Sequence, residues 1–202
     1  LTDTGGNYYE GSTDITRTFA LGEVSDIEKL HFTTVAKSML NVLNAKFMYG
    51  ANGQNIDMLA RKPFWDMNLN YNHGTGHGVG YLLSVHEGPS GIRWTYRAGD
   101  AKPYEEGMVI TDEPGIYIAG SHGVRTENEL IVRKGVANEY GQFMYFENIT
   151  FVPIDLDAVD PDIMSAEDKK MLNDYHAEVF DKISPYLNEE ETEWLKKYTR
   201  EV

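Results

Sequence analysis

Residues 73–80 read His-Gly-Thr-Gly-His-Gly-Val-Gly, and four glycines in eight residues cannot sit in a helix interior. The two histidines are spaced i and i+4, but without a helix this spacing cannot build the two-histidine helical zinc site it otherwise suggests. In extended chain an even separation instead puts His73 and His77 on one face. The glycines remove side-chain bulk and let backbone or substrate approach closely. No phosphate-loop register fits the string, and no lysine follows it. His86 comes nine residues after His77, so three of the six histidines fall within fourteen residues. One histidine alone reads as a structural residue; three so close together read as a site.

The flanking texture predicts α+β, a curved antiparallel sheet with packed helices. Residues 1–21 form a hairpin, with Gly5, Gly6, Asn7 and Gly11 as turn formers. Ser25 and Glu28 make a capping box for a helix whose apolar positions run from Ile27 to Phe47 and which ends near Tyr49-Gly50. A second helix spans Ile56 to Trp65 and bends at Pro63. Strands are expected over Val79–Val85, Met108–Thr111, Gly115–Ile118, Thr126–Val132 and Gln142–Val152. Beyond Pro153 the chain turns helical again, capped at Ser165 and running to about Ile183, with a last short helix from Glu189 to Arg200.

Composition narrows the chemistry. With 32 acids against 18 bases the formal charge is −14, which argues against nucleic acid and anionic membrane as partners. No apolar run approaches the ~20 residues of a membrane span, and cytoplasm is the default expectation. The chain has no cysteine, so any metal must be held by oxygen and imidazole.

Several acids stand where glycines and β-branched residues dominate. Asp3 and Asp14 lie on the two strands of the first hairpin, which can bring both carboxylates to one face. Turn chemistry explains either alone, although Asp14 precedes the strand-like Ile15-Thr16-Arg17-Thr18. Glu113 follows a buried strand and is fixed by Pro114. Glu127 sits in another strand, with Arg125 on the same face by alternation. If Asp3, Asp14, His77, Glu113 and Glu127 converge, four carboxylates and one imidazole need cations to neutralise them. This hard ligand set suits Mn²⁺, Co²⁺ or Zn²⁺ and leaves room for two ions.

These motifs, in this order, resemble aminopeptidase P, the Xaa-Pro aminopeptidases of the pita-bread metallopeptidases, which include methionine aminopeptidase and prolidase. The resemblance rests on Asp3-Thr4-Gly5-Gly6, Thr13–Thr18, the 73–80 string, Val85-His86-Glu87-Gly88-Pro89, Thr111–Gly115 and Gly123–Asn128. It implies a pita-bread (creatinase/methionine aminopeptidase-like) fold. Residues 1–153 would be the C-terminal part of the catalytic domain, truncated on its N-terminal side, and residues 154–202 a helical extension. It implies two divalent metal ions, Mn²⁺ by family expectation: Asp3 on one, His77 and Glu113 on the other, Asp14 and Glu127 bridging. A metal-bridging water or hydroxide would attack the bond before a proline in second position, with Glu113 as proton shuttle and His86 on the scissile carbonyl. His73, Arg125 and Tyr117 would line the proline pocket, and a homodimer through the catalytic domain is the expected assembly.

Relatives carry further domains upstream, so this chain is expected to hold every metal ligand but only part of the pocket. Alone it is expected to bind metal weakly and to show little or no activity. Two other readings compete: a prolidase-type dipeptidase with the same ligands, and a non-catalytic pita-bread module that binds peptides.

Overall fold

The turn residues close the hairpin where expected. In the computed structural model, which describes residues 1–202, β1 (Thr2–Tyr8) and β2 (Gly11–Arg17) pair antiparallel, and Gly11 adopts a left-handed φ of 144°. Asp3 lies opposite Thr16, and Asp14 lies opposite Gly5. Thr16 and Asp14 are two residues apart on one strand, so Asp3 and Asp14 are diagonal neighbours on the same face.

The first helix, α1 (Asp26–Leu43), starts at the predicted cap, where the Glu28 carboxylate accepts from the Ser25 N–H at 2.8 Å and its hydroxyl at 2.5 Å. It ends earlier than the apolar pattern predicts. The Asn44 backbone N–H and side-chain amide both donate to the Leu40 carbonyl and close the last turn. Phe47 therefore belongs to β3 (Lys46–Met48), not to the helix. The second helix, α2 (Gly53–Trp65), begins three residues before Ile56, capped by Asn52, and passes through Pro63 to Trp65. Proline cannot donate to the Leu59 carbonyl, and the Asn41 side chain of α1 does so instead at 3.3 Å.

The middle of the chain is antiparallel throughout. It contains β4 (Gly76–His77), β5 (Gly91–Ile92), β6 (Val109–Asp112), β7 (Gly115–Tyr117), β8 (Gly123–Arg125), β9 (Asn128–Asn138) and β10 (Gly141–Asn148). The main sheet runs β3-β10-β9-β6, with β1–β2, β4–β5 and β7–β8 as separate pairs. A bridge between Gly78 and Ile110 couples β4 to β6. The strand expected over 79–85 does not form. Gly80 N–H bonds the Ser84 carbonyl, Leu83 and Ser84 take left-handed φ of 60° and 54°, and Tyr81, Leu82 and Leu83 are exposed. This loop doubles back so that Glu87 N–H reaches the Gly78 carbonyl at 2.8 Å, bringing His86 beside His77. The strand expected at 126–132 starts later and runs to Asn138, and the one expected at 142–152 stops at Asn148.

Two helices follow, α3 (Ala166–Ile183) and α4 (Glu189–Tyr198), and no helix is long and apolar enough to cross a membrane. Leu172, Tyr175 and Val179 of α3 and Leu195 of α4 share one core with Phe32, Val35, Met39 and Leu40 of α1. A second core joins Val42, Ile56 and Ala60 to Ile110, Leu130, Val132 and Met144 of the sheet. The C-terminal helices are thus packed into the body, and the sheet side leaves a cleft bordered by β1, β4 and β8.

Candidate metal centre

The five acidic and imidazole candidates stand on four separate pieces of backbone that hydrogen bonds tie together. Glu113 N–H donates to the Thr75 carbonyl at 2.7 Å, His77 N–H to Thr111 Oγ1 at 3.1 Å, and Glu127 N–H to the Thr16 carbonyl at 3.0 Å. Gly76 permits the first two approaches, because a Cβ there would lie 1.9 Å from the Thr111 carbonyl oxygen. Arg17 fixes the third. Its buried guanidinium donates to Glu127 O at 2.6 Å, Asn128 Oδ1 at 2.7 Å, Val152 O at 2.8 Å and the Tyr175 hydroxyl at 2.7 Å, welding β2 and the start of β9 to α3.

The result is convergence. Three sets of ligand atoms each lie within 4.8 Å of one another: Asp3, Asp14 and Glu127; His77, Glu113 and Glu127; and Asp14, His77 and His86. The sets interlock through Asp14, His77 and Glu127. His77 Nε2 stands 3.5 Å from both Asp14 Oδ2 and Glu113 Oε1. Its Nδ1 donates to the Gly78 carbonyl at 3.0 Å, so Nε2, which faces the two carboxylates, is the nitrogen a cation would take once it displaces the proton there.

The electrostatics are strained without a cation. Burial and then the Glu113 charge push the Glu127 carboxyl up to about 8, with the Thr16 hydroxyl, donating at 2.5 Å, pulling against them. Burial also raises Glu113, against the charges of His77 and Arg125. For His77 burial favours the neutral ring, but the Asp14 hydrogen bond, the Gly78 carbonyl and the Glu113 charge outweigh it and raise the imidazole. Divalent cations would reverse the carboxyl shifts by supplying the missing positive charge. The ligand types, their spacing and the inward-facing Nε2 of His77 all fit two such ions.

The substrate candidates surround this cluster. A cleft of about 790 Å³ is lined by His73, His86 and Tyr117, together with Asp3, Glu113 and Arg125. His73 Nδ1 is engaged by the Gly74 carbonyl at 2.7 Å, whereas its buried Nε2 has no partner. The His73 ring lies 5.4 Å from that of Tyr117. Arg125 pairs with Asp3 and donates to Thr16 Oγ1 at 3.0 Å and to the Tyr117 hydroxyl at 3.1 Å, so it braces the cluster from the pocket side. His86 is exposed, with its ring 4.2 Å from that of His77.

Two residues escaped the sequence reading. Glu129 is buried, has an unpartnered Oε1, and is pushed up to about 7 by burial and the Asp14 charge. Its signal was its place two residues after Glu127, on the same strand face. Thr16, which links Arg125 to Glu127, carried no signal beyond its facing Asp3 across the hairpin.

Comparison with known proteins meets this geometry. Residues 1–134 match the profile of metallopeptidase family M24, and residues 142–202 that of the C-terminal region of peptidase M24. Aminopeptidase P1 of Arabidopsis thaliana is 42% identical over 205 residues, covering 100% of this chain and 32% of its own length. A probable Xaa-Pro aminopeptidase P of Laccaria bicolor is 41% identical over 98% of this chain and 31% of its own. The chain thus spans about a third of the length of the curated relatives it matches. The X-prolyl aminopeptidase of Caenorhabditis elegans, described as a cytosolic enzyme with a di-nuclear active site, superposes with a TM-score of 0.91 at 35% identity over 99% of this chain and 33% of that one. An Xaa-Pro dipeptidase from Bacillus anthracis gives 0.60 over 76% and 39%. The fold is pita-bread, every converging ligand lies inside the first matched segment, and the chain belongs to metallopeptidase family M24.

Proposed function

We propose that this chain carries the dinuclear metal centre of an Xaa-Pro aminopeptidase, which hydrolyses the bond between an N-terminal residue and a following proline. The observation that carries this reading is the interlocking of ligand sets about Asp14, His77 and Glu127. Asp3 would hold one ion, His77 and Glu113 the other, and Asp14 and Glu127 both. Two divalent cations there would supply Lewis acidity at the scissile carbonyl and a water of lowered pKa. Mn²⁺ is our choice for a carboxylate-rich set, with Zn²⁺ or Co²⁺ as alternatives.

The chain's own groups supply the rest. Glu113, raised by burial, is suited to take a proton from the attacking water and return it to the leaving proline nitrogen. His86, at the exposed edge of the cluster, would orient the carbonyl oxygen and stabilise the charge that develops there. His73 and Tyr117 offer a ring-lined wall for the proline, and Arg125 holds that wall to Asp3 and Thr16. We read residues 1–153 as part of the catalytic domain and residues 154–202 as its helical extension, with cytoplasmic location and a homodimer as further proposals.

Isolated, the 202-residue chain should hold metal weakly. Asp3 lies on the exposed strand β1 and is fixed by a single arginine. A prolidase-type dipeptidase would share the ligands, but the fit to the dipeptidase structure is poorer, and five intact ligands oppose a purely binding module. The test is elemental analysis of the purified chain, then assays with added Mn²⁺ on Xaa-Pro-Xaa, Xaa-Pro and Met-Ala peptides. Turnover of the first class with about two metals per chain would support the proposal. Cleavage confined to Xaa-Pro dipeptides would favour the dipeptidase, and metal binding without turnover of any class by a longer chain of its relatives' length would favour a binding module.

A further inference from the structure

A buried cation next to the metal cluster has no carboxylate partner. Arg17 is 3% exposed, and its acceptors are four backbone carbonyls, one amide oxygen and one phenol. The rigid guanidinium fork serves geometry here rather than charge pairing. Nη1 donates to the Thr16 carbonyl at 2.8 Å and to the Glu127 carbonyl at 2.6 Å, so it pins together the two chain segments that present Asp14 and Glu127. These are the two ligands assigned above to both ions.

On its other side Arg17 meets the C-terminal helices. Nη2 donates to the Tyr175 hydroxyl at 2.7 Å, and that hydroxyl donates to the Val152 carbonyl, also at 2.7 Å. Val152 O accepts from Nη2 as well, at 2.8 Å, so the three groups close a ring. His176, the next residue on α3, is completely buried and accepts from the Ile154 N–H at 3.0 Å. Burial and then the Arg17 charge push its imidazole down to about 4, which keeps the ring the neutral acceptor that this bond needs. The two neighbours thus hold the intervening segment at Val152 and Ile154. Core packing alone asks for no phenol at 175, since a phenyl ring would fill the apolar cluster without the cost of burying a hydroxyl. One guanidinium therefore stands between α3 and the backbone of a shared metal ligand.

We infer that Tyr175 is a positioning residue for the metal centre, setting through Arg17 the spacing of Asp14 and Glu127, so that the C-terminal helices serve the site as well as the fold. The inference rests on the dinuclear reading and deepens it. A single ion needs only one of the shared carboxylates, whereas a pair needs both in register, and ligand distances tolerate only about 0.2 Å.

Metal binding tests this without turnover. The chain is titrated with Mn²⁺ and, where it holds no ion pair by itself, so is a chain of its relatives' length. Calorimetry gives the affinities. Electron paramagnetic resonance separates two ions that share ligands, which are exchange-coupled, from isolated ions. In Tyr175→Phe the second ion should bind about tenfold more weakly, the low end of what losing an outer partner of metal ligands costs. The coupled spectrum should give way to that of isolated ions, with the first ion's affinity unchanged. Arg17→Lys, which keeps the charge and loses the fork, should uncouple the ions in the same way. Val179→Ala, one turn further along α3 in the same core, should lower the melting temperature and leave affinities and spectrum as in the parent. Parent-like coupling in Tyr175→Phe or in Arg17→Lys, or an equal uncoupling in Val179→Ala, would overturn the inference and leave the metal reading intact. A parent that forms no coupled pair in either length of chain would defeat the dinuclear reading and the positioning role with it.

Discussion

Two clusters of buried charge border the His73–His77 segment, and their balance differs. In the first, Asp57 and Arg61 of α2 are completely buried. Arg61 pairs with Asp57 at 2.5 Å and donates to Asn70 Oδ1 and to the carbonyls of Tyr71 and His73 at 2.7–2.8 Å. Thr75 donates to Asp57 at 2.6 Å and is bonded to the Tyr71 hydroxyl, and the guanidinium stacks 4.0 Å above the Tyr71 ring. In the second, Asp14, Glu113, Glu127 and Glu129 gather with one histidine and mostly one another's negative charge. Burial of charge alone therefore does not mark a site here. The marker is an unbalanced set, because only an added cation completes it.

The contrast predicts opposite responses to losing a charge. In the balanced cluster, Arg61→Ala strands a buried aspartate and two carbonyls, which should cost about 3–5 kcal/mol in urea denaturation. A loss under about 1 kcal/mol would mean the pair and its bonds are replaceable by water.

In the unbalanced cluster pH does the equivalent experiment. The Glu127 carboxyl is raised from 4.5 to about 8 in the folded chain, so between those values the folded state holds a proton that the unfolded state has released. The Glu127 contribution to the stability of the metal-free chain is therefore full below pH 4.5 and is lost as pH rises toward 8, by up to about 5 kcal/mol. Saturating Mn²⁺ should remove or reverse the slope, since ligands bind metal deprotonated. A flat profile with chelator present would show that the acids find other compensation.

Glu127→Gln isolates the same residue. It should weaken metal binding 100-fold or more, roughly 3 kcal/mol, because a shared ligand should matter at least as much as the outer partners of metal ligands. Without metal it should flatten the pH slope and leave the protein more stable at pH 8 than the parent. A variant that lost stability at pH 8 would place Glu127 in the balanced class, as a residue serving the fold.

Much of this was legible beforehand, and the reasons divide along the same line. Asp3, Asp14, His77, Glu113 and Glu127 were readable because acids among glycines and β-branched residues have few ordinary explanations, and hairpin alternation already put the first two on one face. Arg61 and Asp57 were invisible because an i,i+4 pair on a helix reads as solvated surface until tertiary packing buries it. The end of α1 and the absent strand at 79–85 were misread for a similar reason. Asn44 and the Gly78–Glu87 bond decide them locally, while the apolar pattern runs on.

The smallest expected effect is the one that best separates the clusters. In Tyr71→Phe the ring remains beneath Arg61, and Thr75 keeps Asp57 as the acceptor for its hydroxyl proton. The variant loses one hydrogen bond into a network where every remaining charge still has a partner, so denaturation should register about 1 kcal/mol. Metal affinity should not move, because no atom of the Tyr71 side chain belongs to the ligand sets. A change in metal affinity of tenfold or more would mean that the balanced cluster sets the position of His77 through Thr75. The two clusters would then be one device, with the satisfied half acting as the template that holds the unsatisfied half open for its ions.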